Sequence, residues 1–546
     1  MSEIFVGIDL GTTNTLACYL KSGRLDFIKF SGKKMLPSAL SVDEDGSIIV
    51  GKVAKRNAVM DPRTAVLSSK TYMADPQKTW TIRGKTFTPT EVATEILKEV
   101  KRKIIQKMKC PPETTINAVI TVPAYFGLEE RSATKQAGEL AGLHVLSLIN
   151  EPTAAALSYC ARQFQEDRTI LVYDLGGGTF DVTLVKMSMT RNETGKDVQK
   201  INVLATGGDD KLGGKDWDDK LFEYILNACC EENGLTPQEI EAETRQDIRS
   251  KVEEAKRKLS KKQSAKVRID VNGSRTEITI KRSDFESMTA DKVAQTMNFV
   301  ESTLQKVPGV EVDTVLLVGG STYMPMIKNA VEEKFPGKVQ QHDPDQAVAK
   351  GAAIYASMLV VEEGTISDGE TSENNSSEKN PHAEQLTAKF AVEDQTPRSF
   401  GPGVMDTKGS KHKYVLENFI KIGEKMPAVF SKTYYPLEDN QERVRLRAFE
   451  NMSTEDTLIP CVDEDGNPQA TDPANNVKLL GELVVNLPPE TARNTPIKVT
   501  FKVDASGVHV EAINTKTNEV FETFLRTESD VDVDNSAVHQ LRISAD

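Results

Sequence analysis

The chain has 546 residues, 38% hydrophobic and 27% charged, a balance that supports several buried cores and, by length, roughly three or four domains. Its net charge of −13 lacks the basic excess that a nucleic acid or an anionic membrane would require of a partner, and simple solubility accounts for the acidity. Six cysteines (Cys18, Cys110, Cys160, Cys229, Cys230, Cys461) without CxxC spacing and six scattered histidines argue against a disulfide framework or a zinc site. Free thiols, no signal-like start before the strand that follows Met1, and no run near 18 apolar residues predict a soluble cytoplasmic protein.

Apolar β runs at 4–8 and 16–20 flank Asp9-Leu10-Gly11-Thr12-Thr13. The same device returns at Asp174-Leu175-Gly176-Gly177-Gly178-Thr179, between runs at 170–173 and 182–185. Each reads as a strand, a tight glycine turn and a returning strand. Glycine serves where backbone takes positive φ or must approach a ligand closely. Two such turns, each led by an aspartate, can clamp a polyphosphate, with amide N–H groups toward the oxygens and carboxylates toward a hydrated cation. Helical stretches at 90–108, 128–141, 217–232 and 244–262 alternate with short strands as far as about residue 360, which predicts an α/β architecture for residues 1–361. A third glycine turn, Gly319-Gly320-Ser321, follows the buried run 315–318; alone it would be a packing turn. No Gly-x-x-x-x-Gly-Lys-Ser/Thr stretch occurs, so the chain is not a P-loop protein.

Residues 362–389, rich in Glu, Ser, Asn and Gly, read as a flexible acidic linker. Short alternating runs at 414–422, 444–449, 480–487, 497–503 and 508–512 then predict a small antiparallel all-β sandwich over 390–527. A polar insertion at 451–476 interrupts it; Asp463, Asp465 and Gly466 there fail the spacing of a calcium loop. Residues 528–546 form a polar tail too short for another domain.

Taken together, the three glycine turns resemble the duplicated actin-like ATPase fold, in which two similar lobes close over ATP. Val122-Pro123-Ala124-Tyr125-Phe126, Asn150-Glu151-Pro152-Thr153-Ala154-Ala155-Ala156, Leu212-Gly213-Gly214 and Glu253-Glu254-Ala255-Lys256-Arg257-Lys258-Leu259-Ser260 narrow the match. In this order they resemble the DnaK-type seventy-kilodalton heat-shock chaperones, over nearly all of 1–360 and more loosely over 390–527. The resemblance implies ATP or ADP and magnesium as ligands. Asp9 and Asp174 would hold the hydrated magnesium through its waters, with Asp181 beside them. Thr12 and Thr13 would contact the phosphates, between the glycine turns of Gly11 and of Gly176, Gly177 and Gly178, and Asn14 and Gly208 would belong to the cofactor-binding set. Thr179 would lie near the γ-phosphate, Lys70 would orient the attacking water, and Glu151 would face the same region. The implied catalytic set is thus Lys70, Glu151, Asp174, Thr179 and Asp181, a cast sufficient for a reaction that depends on positioning and charge. Glu253, Lys256, Arg257 and Ser260, at i, i+3, i+4 and i+7, share one helical face. By resemblance that face grips adenine and ribose, together with Gly319, Gly320, Ser321 and Asp345; Tyr323 stands where the family usually has arginine. Read singly, Lys70 would be a surface residue, Glu151 a helix opener and the 253–260 face a solvated one.

The match departs from the family pattern in three places. The stretch from Lys70 to Pro123 is short, as in the specialised bacterial branch resembling the HscC chaperone, which Lys78-Thr79-Trp80-Thr81-Ile82 fits best. That leaves exchange-factor binding open. Phe390-Ala391-Val392-Glu393-Asp394 replaces an aspartate followed by leucines in the interdomain linker, and no helical lid is expected. In the β domain, Phe400, Met405, Tyr434, Leu437 and Val444 align with positions lining a peptide cleft, or serve as sandwich core. The resemblance therefore implies a slow ATPase and ATP-dependent chaperone of unfolded or extended polypeptides, with a J-domain partner. The alternative is a nucleotide-binding co-chaperone or scaffold with little turnover. A sugar kinase or a filament-forming relative has no place for the β domain.

Overall fold

The computed structural model describes residues 4–366 and 390–542, apart from 22–23, 74, 76, 162–166, 192–196, 272, 342, 394, 397, 407–412, 459–470, 473–476, 505–506 and 526–540. The chain folds into two compact units, one of Met1–Tyr125 with Ala133–Val392 and one of Phe126–Ser132 with Glu393–Asp546. No helix among the described residues is long and apolar enough to cross a membrane.

The larger unit is built on one plan used twice. Ile4–Leu10 pairs antiparallel with Asn14–Lys21 and, on its other edge, parallel with Ile116–Val122, beyond which lies His144–Asn150. Arg168–Leu175 repeats this, antiparallel to Phe180–Arg191 and parallel to Thr314–Val318, beyond which lies Val339–Gln341. The central strands are buried on both faces, so they read as continuous apolar runs without alternation. Two helices, Glu151–Cys160 and Ala347–Ile366, share a core with strands of both sheets through Ile149, Val172, Leu316 and Ile354. They can come this close because Gly351 lacks a side chain: a Cβ there would lie 1.7 Å from the Ala154 carbonyl oxygen.

The expected helices appear at Pro89–Met108, Leu128–Leu140, Gly214–Asn233 and Ala242–Leu259. The first opens on a capping box, in which the Thr88 hydroxyl accepts from the Glu91 amide and the Glu91 carboxylate accepts from the Thr88 amide. The long C-terminal helix runs to Ile366, five residues into the expected linker; residues 367–389 lie outside the described residues. Phe390–Glu393 adds to the edge of the second sheet beside Asp197–Asp209, so the first unit extends to Val392. That boundary is set by backbone pairing, to which composition is blind.

The smaller unit is antiparallel β throughout its main ladders. Ile497–Asp504 turns Ile497, Val499, Phe501 and Val503 inward at the two-residue period of a half-buried strand. Val508, Val510 and Ala512 do the same on the neighbouring strand. Phe419 sits at the centre, edge-on to Phe501 with ring centroids 5.4 Å apart and stacked on Tyr434 at 6.0 Å. The run expected at 414–422 is not one strand: Lys413–Leu416 pairs, then the chain leaves the ladder at Asn418. The Asn418 amide donates instead to the Ser453 and Glu455 carbonyls, holding a loop where a strand would continue. Asp463, Asp465 and Gly466 lie outside the described residues.

Candidate active site

Both aspartate-led turns belong to the larger unit, and they are packed against each other. A Cβ on Gly177 would stand 2.0 Å from the Thr13 hydroxyl oxygen, and one on Gly178 would touch the Thr12 methyl at 3.0 Å. Only bare backbone fits between the two turns at these positions. Gly319, at φ +83°, brings the third turn over the second: a Cβ there would meet the Leu175 carbonyl oxygen at 2.3 Å and an Asp174 carboxylate oxygen at 2.5 Å. The Ser321 hydroxyl donates to the Gly176 carbonyl at 2.7 Å, tying the two turns together.

The carboxylates converge through strand register. Asp174 and Asp181 are direct partners across their hairpin, and Gly208 lies opposite Asp181 on the next strand. Asp9 closes the equivalent strand of the first sheet, where the Thr121 hydroxyl reaches it at 3.5 Å. Glu151 opens its helix immediately after the strand that ends at Asn150. Lys70, on the short helical turn Ser69–Tyr72, donates to the Glu151 carboxylate at 2.5 Å, and both side chains are buried.

Four carboxylates thus act on one another around this lysine. Burial, reinforced by Glu151, raises the Asp9 carboxyl to about 7 despite the lysine. Part of Asp9 remains reachable by solvent, yet protein atoms surround its carboxyl densely enough for desolvation to lead. Asp174 and Asp181 are pushed well above the usual carboxylate range by burial first and by Glu151 next. One Asp181 oxygen is buried with no hydrogen-bond partner among the described residues. A concentration of negative charge with an orphaned oxygen suits a divalent cation. No three acidic, histidine or cysteine side chains among the described residues come close enough to hold an ion directly.

At the other end of the cleft, the Lys256 ammonium donates to the Gly214 carbonyl at 2.7 Å and to Asp218 at 2.8 Å. Glu253 accepts from Lys55 at 2.5 Å and from Arg257 at 2.8 Å, and the Ser260 hydroxyl donates to the Lys256 carbonyl. The shared face of this helix is therefore partly engaged by protein groups. Tyr323 is 49% exposed and donates to Asp345 at 3.2 Å; burial, then the Asp345 charge, raises its hydroxyl to about 12.

Asp9, Thr12, Thr13, Lys70, Glu151, the 174–181 turn and the 319–321 turn come together. Asp218 and Tyr125 were not anticipated in roles. The Tyr125 hydroxyl lies buried close to Asp181 and Glu151; burial first, and then their charges, raise its pKa. Its place within Val122-Pro123-Ala124-Tyr125-Phe126 was the available signal. In the smaller unit, Phe400, Tyr434 and Val444 are fully buried in the sandwich core, and the Tyr434 hydroxyl donates to Glu417 at 2.6 Å. Met405 and Leu437 are half-buried.

The family model described as Hsp70 protein matches residues 5–545. A chaperone protein DnaK of Thermotoga neapolitana is 34% identical over 523 residues, covering 93% of this chain and 78% of its own length. The chaperone protein DnaK of Halobacterium salinarum is 33% identical over 523 residues, covering 94% of this chain and 73% of its own. The Thermotoga maritima protein of the same description is 34% identical, with shares of 93% and 78%.

Proposed function

We propose, from the premise that this chain belongs to the Hsp70 family, that it is a slow ATPase whose nucleotide state governs the binding of extended polypeptide by its β-sandwich. Hsp70 proteins are ATPases, and the DnaK family binds unfolded polypeptides and J-domain co-chaperones. The observation that carries the reading for this chain is the buried Lys70–Glu151 pair, ringed by Asp9, Asp174 and Asp181 beside two interlocked glycine turns. We read the short 70–123 stretch as that of the HscC-like bacterial members, and the five free cysteines among the described residues as thiols of a reducing cytoplasm.

The roles follow from chemistry. Backbone amides of the turns at 11–14 and 177–178 hold the phosphates, with the Thr12 and Thr13 hydroxyls beside them, while the Gly176 N–H closes its own turn on the Thr179 carbonyl. Asp9 and Asp174 would hold magnesium, which when bound would neutralise phosphate charge. Lys70 places the attacking water and offsets charge that develops as the bond to the bridging oxygen of ADP breaks. Glu151 fixes Lys70 and accepts from the same water. Thr179 stands near the γ-phosphate, with the buried Tyr125 hydroxyl close by. Lys256, Arg257, Glu253 and Ser260 form the base and ribose end, and the Tyr323 ring covers the purine.

Phosphate release from the full chain with magnesium and ATP is the test. Lys70→Ala should lower turnover by about 100-fold or more while calorimetry still registers ATP binding, because it removes charge stabilisation and spares the phosphate-binding amides. Equal rates would defeat the catalytic assignment. Absence of turnover in the wild type, with binding intact, would favour the scaffold reading.

A further inference from the structure

In the smaller unit, the strands of the sandwich form two groups, and one two-residue strand, Leu541–Arg542, joins them. On one side Arg542 pairs in parallel with Met405, on the strand Ser399–Asp406. On the other, Arg542 pairs antiparallel with Tyr435 and Leu541 with Pro436, at the end of Ala428–Pro436. That second strand follows its regular partner, Ile497–Asp504, only as far as Tyr434, and its last two residues turn to the added segment. Each flanking strand thus presents a stretch of open edge here, and backbone donors and acceptors on an open edge recruit an extended chain. A segment held from both edges is bound as an extended peptide would be.

We propose that the segment at Leu541–Arg542 is an internal occupant of the groove that receives extended polypeptide, so that the protein competes with its own clients. This rests on the peptide-binding reading above. The groove so defined runs between Met405 and Tyr435–Pro436; Met405 itself and Leu437, next to Pro436, are among the positions that the family resemblance marks for a peptide cleft. Main-chain pairing supplies the attraction without demanding one particular sequence, so a client of similar extended, aliphatic character can replace it.

Fifteen residues, 526–540, separate this segment from the strand that ends at Leu525. A tether of that length holds its end at an effective concentration on the order of millimolar. If the segment alone binds with a dissociation constant of about 100 μM, the groove is open about a tenth of the time and a client binds about tenfold more weakly.

The test measures anisotropy of a short fluorescein-labelled leucine-rich peptide with the full chain in ADP, alongside hydrogen exchange of the Leu541 and Arg542 amides. Arg542→Pro removes the backbone N–H of the one residue that pairs with both flanking strands and touches no other ladder. The expected results are protected amides in the wild type, loss of that protection at saturating peptide, and peptide affinity about tenfold higher in Arg542→Pro. Amides exchanging at free-chain rates would overturn the proposal outright. Protected amides with equal affinities in the two forms would show that the segment does not block the groove, leaving peptide binding itself intact. No peptide binding by either form would overturn the peptide-binding reading and this inference with it.

Discussion

Replacing Asp9 by asparagine should make the ligand-free protein more stable, by an amount that grows with pH. The Asp9 carboxyl titrates at about 7 in the folded chain against 3.8 ordinarily, so the folded state binds the proton more tightly than the unfolded one. Stability credited to that proton is complete below the ordinary value and is lost as pH rises through 7. A shift of about three units corresponds to about 4 kcal/mol when both states are ionised, a ceiling because Asp9 keeps some solvent contact. An uncharged isostere escapes that penalty. Asp9→Asn should therefore gain about 4 kcal/mol at about pH 8 and about 2 kcal/mol at about pH 5.5. Both tryptophans, Trp80 and Trp217, belong to the larger unit, so denaturant titrations followed by tryptophan fluorescence report that unit alone. Magnesium with ATP should stabilise the wild type more than the variant, because the ion relieves the repulsion that asparagine has already removed. A variant less stable than the wild type at about pH 8, or a gain that does not change with pH, would refute the claim that desolvated negative charge is stored at this site.

Gly177→Ala should weaken ATP binding and lower turnover by about 10-fold to 100-fold, since the added methyl would stand 2.0 Å from the Thr13 hydroxyl oxygen and force the two turns apart; isothermal titration with unchanged affinity would count against the clamp. Lys256→Met should destabilise the larger unit by about 1–2 kcal/mol at about pH 8, because it leaves the half-buried Asp218 carboxylate without its cation. The Asp218 pKa is already raised by burial, so this loss should shrink toward acidic pH, and Asp218→Asn should restore most of it on chemical denaturation.

Much of the molecule was legible because it is written locally. The two aspartate-led turns announce themselves by glycine between apolar runs, and the strands at Ile4–Leu10 and Arg168–Leu175 duly carry them. Helices such as Pro89–Met108 and strands such as Ile497–Asp504 follow from period and capping over a few residues. What was missed is non-local or lies where polar residues break a pattern. Asn418 ends a strand that apolar content alone would continue, and Gly214–Asn233 begins earlier than its apolar periodicity because Asp216 caps it by accepting from the Gly213 amide.

The amino-acid order by itself determined the doubled strand–turn–strand plan and the division into an α/β part and a β part, since both depend on spacing along the chain. Folding decided which charges meet. Lys70 and Glu151, 81 positions apart, become one buried pair, and Asp9 acquires its near-neutral pKa only when water is withdrawn and Glu151 arrives. Folding likewise placed Phe390–Glu393 on one sheet and Leu541–Arg542 between two others. Backbone pairing and desolvation act between groups brought together in space, and neither leaves a mark in the spacing of residues along the chain.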